Sequence, residues 1–297
     1  MERKYLKDLI DWKNDTDKKP LLIWGARQVG KTYLIEELFA KKFYENKYLK
    51  IDCSDDSEFV KYVMNNPNLK KVLDYLKVNY NFIDDGEHLL FFDEAQECLP
   101  LVKMMKHFCE KRRDIPLIVT GSLVRLKILR EAHNRGVNLD NNKFLFPVGK
   151  INQIYIYPLT FDEFLYNYNK NAYEYLKNHF ESKETIDFQF HQKFLEMFND
   201  YLFIGGMPEV ADVFIKNKDQ KLKAYNLAMK KIDEIYDNYL ADMDLYQASP
   251  ESILRSRLIY KDIYKQLNKE NKNFKYSLSV DGAKSRDLAN PIAWLIE

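Results

Sequence analysis

The sequence is poor in cysteine and has no long run of apolar residues. Its three cysteines, Cys53, Cys98 and Cys109, show neither CxxC spacing nor a neighbouring histidine cluster, which argues against a disulfide framework and against a zinc site. We interpret them as buried apolar thiols. The longest apolar runs have only four or five residues, against the roughly 20 that a membrane-spanning helix needs. The amino-terminal region also lacks the apolar stretch of a secretory signal. We therefore predict a cytoplasmic protein that does not cross a membrane.

The sequence also has no large excess of positive or negative charge. The 46 Lys and Arg residues balance 45 Asp and Glu residues, so the net charge of +1 gives no overall attraction to nucleic acid. The 297 residues are 46% hydrophobic and 31% charged, which excludes a wholly disordered chain. A chain of this length can form one large domain or two modest ones.

Glycine is scarce, with nine residues, and two of them belong to one motif. Residues 25–32 read GARQVGKT and match GxxxxGK[ST]. The apolar run 21–24 precedes them, and apolar residues at helical spacing follow from 31 to 43. A motif that matched by chance would not be expected to lie between a strand and a helix in this order, so we predict a phosphate-binding loop.

The residue types of this motif suit a nucleotide with Mg²⁺. Glycines let successive backbone N–H groups surround phosphate oxygens at the positive end of a helix. Lys31 would reach the β and γ phosphates, and the Thr32 hydroxyl would hold Mg²⁺. Arg27 and Gln28, at the crest of the loop, would touch phosphate or a neighbouring subunit. The predicted nucleotide-binding residues of the loop are Gly25, Ala26, Arg27, Gln28, Val29, Gly30, Lys31 and Thr32.

A second apolar run, residues 89–92, stops at Asp93 and Glu94. Such a run is typical of a buried parallel strand, and open α/β sheets bind ligands at the carboxyl ends of their strands. We predict that Asp93 holds the water shell of Mg²⁺ and that Glu94 polarises the attacking water. Gln96 would help to orient that water. The alternative is that the two acids cap the helix predicted to begin near Leu99.

Three further strands are predicted at 48–53, 115–120 and 153–157. The strand 115–120 ends in Thr120-Gly121-Ser122, and we predict that Thr120 or Ser122 senses the γ phosphate. The alternative is a simple turn into the next helix. Five strands alternating with helical segments predict an α/β fold with a five-stranded parallel sheet.

The motifs together resemble a bacterial AAA+ ATPase family, related to the STAND-type signalling ATPases, that carries a nuclease-like C-terminal domain of unknown function. In that family, motifs like these occur in the same order along the chain. The motifs are residues 25–32, 93–96, 120–122, 146–150, 158–164 and 205–208.

The resemblance implies a three-part organisation: a P-loop AAA+ core at 1–160, an α-helical lid at 161–248 and the start of a winged-helix domain at 249–297. It implies that Pro208, with Gly206 and Met207, lies against adenine, although Gly-Gly followed by Pro would form a turn in any protein. The family continues into its nuclease-like domain beyond the point where this sequence stops, so we expect that domain to be missing. Helices are predicted at 252–267 and from 284 onward.

The implied function is an ATP-binding, Mg²⁺-dependent ATPase that acts as a conformational switch. The main alternative is a nucleotide-gated scaffold with negligible turnover, and a small-molecule kinase is a third reading. A homo-oligomer or protein partner is expected, with the loop 134–142 as a contact region.

Residues 251–297 carry a net charge of +3, from nine Lys or Arg against six Asp or Glu. This charge permits DNA contacts by Lys275, Lys284 and Arg286, with protein docking as the alternative. The candidates for an arginine supplied to a neighbour are Arg112, Arg113, Arg125, Arg130 and Arg135, and Lys150 either senses phosphate or simply begins a strand.

Overall fold

The structure, a computed structural model, describes residues 1–122, 149–246, 249–271, 273–275, 279–280 and 284–296. The chain divides into two compact units, Met1–Ala228 and Met229–Glu297, and the division falls inside a long helix. The domain boundaries after residues 160 and 248 stay predictions.

The first unit is built on a five-stranded parallel sheet, as predicted. The strand order is β2-β3-β4-β1-β5, and every pairing is parallel. Strands β1, β3 and β4 are buried along their whole length, the pattern of strands covered on both faces. The strands are β1 (Leu21–Trp24), β2 (Tyr48–Asp52), β3 (Leu89–Asp93), β4 (Leu117–Gly121) and β5 (Asn152–Tyr155).

Helices connect the strands of this sheet and follow its last strand. The predicted helix at 31–43 is confirmed as α2, whose middle section, Leu34–Ala40, is π-helical. The helices of the core are α1 (Tyr5–Asn14), α2 (31–43), α3 (Ser57–Asn65), α4 (Leu69–Tyr80) and α5 (Leu99–Lys111). After the sheet come α6 (Phe161–Tyr168), α7 (Lys170–Ser182), α8 (Phe188–Ile204), α9 (Pro208–Lys216) and α10 (Lys221–Tyr246).

Alternate residues of the central strands pack into separate cores on the two faces of the sheet. Phe92 and Val119 belong to one cluster, while Phe91 and Ile118 belong to the other. The three cysteines are free and buried, which confirms that prediction. Burial raises the pKa of the Cys98 thiol to about 11. These cores fix the sheet, and therefore the edge at which its strands end.

The second unit contains the two predicted C-terminal helices, α11 (Pro250–Leu267) and α12 (Ser285–Ile296). Ile259 and Leu288 are buried, and Arg255 donates a hydrogen bond to the Asp287 carbonyl at 2.9 Å. The winged-helix assignment for this region stays a prediction. None of the helices in the described part of the chain is both long enough and apolar enough to span a membrane.

A partly buried ion pair at the amino-terminal edge of the sheet provides a test of pH-dependent stability. The Asp84 carboxylate accepts a 2.7 Å hydrogen bond from Arg112 and lies 2.7 Å from the Lys77 ammonium. These partners, Arg112 foremost, hold the pKa of Asp84 below its usual value. Because the folded-state pKa is depressed, the pair stabilises the fold above pH 4 and this contribution disappears as the pH falls through the folded-state pKa.

We expect Asp84→Asn to lower the free energy of unfolding by about 1–2 kcal/mol at pH 7, since Arg112 and Lys77 lose their anionic partner and both are partly exposed to solvent. The difference from the wild type should shrink in acid. Urea denaturation at several pH values measures it, and a difference that persists unchanged below the Asp84 pKa would contradict the prediction.

Candidate functional site

The predicted phosphate-binding loop follows β1 at the carboxyl edge of the sheet. Gly25 has φ +155°, and a Cβ there would collide with the carbonyl oxygen of Ile156. Gly30 has φ +84°, in the left-handed region that favours glycine, and the helix begins directly after it at Lys31. Val29 is fully buried, so its side chain belongs to the core and only its backbone can serve a ligand. The sequence requirement for glycine at 25 and 30 therefore has a geometric cause.

Lys31 is buried beneath this loop, with 5% of its surface exposed. Its ammonium donates hydrogen bonds to the carbonyl oxygens of Gly25 at 3.0 Å and Ala26 at 2.9 Å. Burial lowers the pKa of Lys31, while the nearby carboxylates of Glu94 and Asp93 oppose this effect. A buried ammonium held by carbonyl groups is well placed to bind an anion that enters the loop.

Asp93, the last residue of β3, joins three parts of the site. Its Oδ2 accepts a 2.6 Å hydrogen bond from the Thr32 hydroxyl, and its Oδ1 accepts bonds from the Thr120 hydroxyl and, at 3.1 Å, from the Glu94 amide. Strand β4 lies between β1 and β3, so Asp93 reaches Thr32 across the end of β4. This contact brings together the two residues predicted to hold the metal.

The donor set at Thr32 and Asp93 fits Mg²⁺. A hydroxyl and a carboxylate are hard oxygen ligands, and Mg²⁺ commonly takes one or two protein groups with waters and phosphate oxygens completing its octahedron. No group of three or more His, Cys, Asp or Glu side chains that could form an all-protein metal cage occurs among the described residues. Thr32 and Asp93 are the residues that would hold Mg²⁺.

Glu94 lies at the wall of the same site in the left-handed conformation, with φ +49°. Its carboxylate accepts a hydrogen bond from the amide of Gln96, whose own oxygen accepts a 3.3 Å bond from the Ser122 N–H. Helix α5 is preceded by Cys98 and has no side-chain cap, so the interpretation of the two acids as its caps is wrong. Gln96 is buried and holds Glu94, a contact that sequence reasoning did not predict.

The two residues predicted to sense phosphate are both buried. Thr120 is fully buried and its hydroxyl is engaged by Asp93. The Ser122 hydroxyl oxygen is buried and has no hydrogen-bond partner among the described residues. Neither residue lines the adjoining cavity. Their sensing role stays a prediction, and the helix or turn that follows Ser122 lies outside the described residues.

A cavity of about 600 Å³ opens beside the loop. Six predicted residues line it, namely Gln28, Gly30, Lys31, Thr32, Glu94 and Pro208. Pro208 begins α9 and lies 3.6 Å from the position a Cβ of Gly30 would take, so the structure brings it to the loop. Its contact with adenine stays a prediction.

Sequence reasoning missed the other described residues that line the cavity, which are Met1, Tyr33, Glu209, Asp212 and Lys216. Tyr33 follows the GKT of the loop directly, and its hydroxyl accepts a 2.9 Å hydrogen bond from the amino group of Met1. Asp212 and Lys216 form an ion pair one helical turn apart. Pro208, Asp212 and Lys216 are spaced four residues apart. This spacing would have indicated that Asp212 and Lys216 lie on the same face of α9 as Pro208.

Basic residues at the amino-terminal edge of the sheet, opposite the phosphate-binding loop, pair with acidic side chains there. Arg112 pairs with Asp84 and Asp114, and the Lys150 ammonium lies 3.4 Å from Glu110. Lys150 precedes β5, whereas the phosphate-binding loop follows the carboxyl end of neighbouring β1, so the interpretation of Lys150 as a phosphate sensor is wrong.

Arg113 pairs with Asp17, also before β1. The candidates Arg125, Arg130 and Arg135, the loop 134–142 and residues 146–148 lie outside the described part of the chain.

The sheet order, the glycine-containing loop and the acid pair together define a P-loop NTPase fold of the AAA+ type. Residues 17–165 match the family described as "AAA domain", and the chain belongs to that family. It is therefore an AAA+ nucleotide-binding protein. The match ends in α6, so it covers the sheet and the start of the first helix beyond it.

Comparisons with individual proteins are distant. No curated protein matches the chain. Among solved structures, AMPPCP-bound DnaA from Aquifex aeolicus is similar with a TM-score of 0.39 and 12% identity, over 99% of this chain and 86% of that one. A structure titled DNA replication initiation factor has a TM-score of 0.32 and 13% identity, over 97% and 81% of the two chains.

Proposed function

We propose that this protein binds ATP with Mg²⁺, hydrolyses it to ADP and phosphate, and uses the nucleotide state as a conformational switch. One observation carries the proposal. The Thr32 hydroxyl and the Asp93 carboxylate meet at 2.6 Å beside Lys31, and Lys31, Thr32 and Glu94 line one cavity. This arrangement supports a triphosphate and a divalent cation bound at the same point.

Each residue has a distinct task in this proposal. The backbone of residues 25–30 and the Lys31 ammonium bind and orient the phosphates, with Lys31 exchanging its carbonyl partners for phosphate oxygens. Thr32 and Asp93 would hold Mg²⁺, which when bound supplies charge neutralisation of the phosphate oxygens. Glu94 accepts a proton from the attacking water. Thr120 keeps Asp93 oriented through their hydrogen bond.

Dependence on the divalent cation tests the proposal. We expect ATP hydrolysis in the presence of Mg²⁺ and its loss in excess EDTA. Asp93→Asn should lower hydrolysis at limiting Mg²⁺ by about tenfold or more and raise the Mg²⁺ concentration at half-maximal rate, because one charge-assisted interaction worth about 1.5–3 kcal/mol is lost. Phosphate release measured over a Mg²⁺ titration gives both quantities.

Asp52→Asn is the matched control. Asp52 ends β2 and lies directly beside Asp93 in the sheet, but its carboxylate binds Ser54. We expect its Mg²⁺ dependence to equal that of the wild type. Identical Mg²⁺ curves for folded Asp93→Asn and wild-type protein, or hydrolysis that survives EDTA, would contradict the assignment.

A nucleotide-gated scaffold with negligible turnover is the alternative, and one observation favours it. Gln96 binds the Glu94 carboxylate in this structure, so the proposed base is engaged by a neighbour rather than by water. Single-turnover kinetics separate the two functions. Bound ATP that outlasts purification without conversion to ADP supports the scaffold, whereas conversion at a measurable rate with Mg²⁺ supports the ATPase.

The proposal extends to location and partners. A cytoplasmic ATPase resembling the STAND-type switches would act through a second copy of itself or another protein. DNA contact by the exposed residues Lys275, Lys284 and Arg286 is a further outcome to test. Mass in solution with ATP and with ADP, in the presence and absence of duplex DNA, measures these states directly.

A further inference from the structure

Arg3 forms the most buried ion pair among the described residues. Its guanidinium Nε lies 3.0 Å from Glu163 Oε1, and the two side chains are only 2% and 3% exposed. Nη1 donates to the Val29 carbonyl at 2.7 Å, and Nη2 donates to the Tyr157 carbonyl at 2.6 Å. One side chain thus joins the phosphate-binding loop, the segment after β5 and the first helix beyond the sheet.

Glu163 is itself fixed by several donors. Its Oε1 also accepts the Lys4 amide at 3.0 Å, and its Oε2 accepts the Thr160 amide at 3.1 Å. With Thr160 it forms a capping box at the amino terminus of α6. A displacement of α6 therefore moves the carboxylate that Arg3 binds.

The hydrogen bond from Arg3 to the Val29 carbonyl fixes the orientation of the Val29–Gly30 peptide in the loop. In a trans peptide the carbonyl and the following N–H point in opposite directions. Since the Val29 carbonyl points at Arg3, the Gly30 N–H points to the other side of the loop, and Gly30 lines the cavity. Loss of the Arg3 bond would free this peptide to rotate, and its N–H would no longer be fixed for an anion.

We propose that Arg3 and Glu163 are a positioning pair that links the orientation of the Val29–Gly30 peptide to helix α6. This inference rests on the proposed function, because it assigns the pair a role in phosphate binding. Through the pair, an occupied loop and the position of α6 stabilise each other, which gives the switch a physical connection between nucleotide and the helices after the sheet. Neither residue touches the nucleotide.

The test compares Arg3→Lys and Glu163→Gln with Asp84→Asn. Lysine keeps a positive charge but cannot make three planar bonds, and glutamine keeps the capping box while removing the charge. Asp84→Asn breaks a different, partly buried ion pair at the far edge of the sheet. Binding of MgATP is measured by titration, stability by thermal unfolding, and exposure of residues 25–32 and 161–168 by hydrogen exchange of the nucleotide-free protein.

We expect both site variants to raise the Kd for MgATP by about tenfold, the effect of one lost charge-assisted hydrogen bond. The double variant should bind no more weakly than the weaker single one, because both remove the same link. Hydrogen exchange should accelerate in both segments together. Asp84→Asn should lose thermal stability with a Kd within about twofold of the wild type and unchanged exchange in the two segments, since it acts away from the loop.

The outcomes separate the pair from the function. Wild-type Kd values in folded Arg3→Lys and Glu163→Gln proteins would overturn the positioning role while ATP binding stands. If the wild-type protein binds no MgATP, both the proposed function and the role of the pair in phosphate binding are overturned. In that case, faster hydrogen exchange of both segments in the two variants would still establish the mechanical link between the loop and α6. Unchanged hydrogen exchange in the variants would overturn the link as well. If Arg3→Lys does not fold, Glu163→Gln decides alone.

Discussion

Lys31→Met is expected to abolish tight ATP binding without destabilising the protein. The ammonium would make charge-assisted hydrogen bonds to phosphate oxygens, and two such bonds together contribute at least about 3 kcal/mol, or a hundredfold in Kd. In the nucleotide-free protein the same ammonium is buried against two carbonyl oxygens, and burial lowers its pKa. Methionine has similar length and no charge, so the unfolding temperature should be equal or higher.

Lys41→Met is the control for this experiment. Lys41 lies on the same helix, exposed, and pairs only one turn away with Glu37. Its replacement should leave both the Kd and the unfolding temperature near those of the wild type. An ATP Kd for Lys31→Met within a few-fold of the wild type would refute the role of this loop, and a large loss of stability would refute the account of its buried charge.

Glu94→Gln is expected to reduce hydrolysis by about 10²–10⁴-fold while ATP still binds, the usual range for loss of a general base. Glutamine has the same shape but accepts a proton poorly, so the variant should accumulate bound, unhydrolysed ATP. Rapid quenching after a single turnover, followed by separation of ATP and ADP, measures this directly. Binding should be retained because Lys31 and the loop are untouched.

Glu87→Gln serves as the matched control, since Glu87 is an exposed residue that pairs only loosely with Lys47, at 4.0 Å, ahead of the same strand. It should hydrolyse ATP at the wild-type rate. Equal rates in Glu94→Gln and wild-type protein would eliminate Glu94 as the base. Weakened ATP binding by Glu94→Gln, with the rate per bound ATP unchanged, would assign it to binding instead.

The strands and the loop could be predicted because their signals are local. The apolar run at 89–92 followed by Asp93 and Glu94 predicted both β3 and the acids at its end, and the structure places them there. The glycine spacing predicted the turn before α2 in the same way. The π-helical section at 34–40 gave no such signal, because the spacing of its apolar residues does not distinguish an α-helix from a π-helical section.

The interpretation of Lys150 failed for a different reason. Lys150 ends the motif 146–150 shared with the family, but the parallel register with β1 puts it at the edge of the sheet opposite the loop. Gln96 was placed near the water because it follows the acids in sequence. Its bond to Glu94 is local, two residues away along the chain, whereas its bond from the Ser122 N–H depends on the end of β4 lying beside the end of β3.

The sequence by itself determined the nucleotide-binding class, which the family match supports, and it predicted a divalent cation because lysine and threonine after such a loop suit phosphate with Mg²⁺. Only the tertiary structure decided which distant side chains complete the site. Arg3 and Glu163 are separated by 160 residues, and nothing in either segment indicates the other as its partner. They meet because the strand order of the sheet differs from the order in the chain and places β1, the first strand, beside β5, the last. Burial then makes their contact specific.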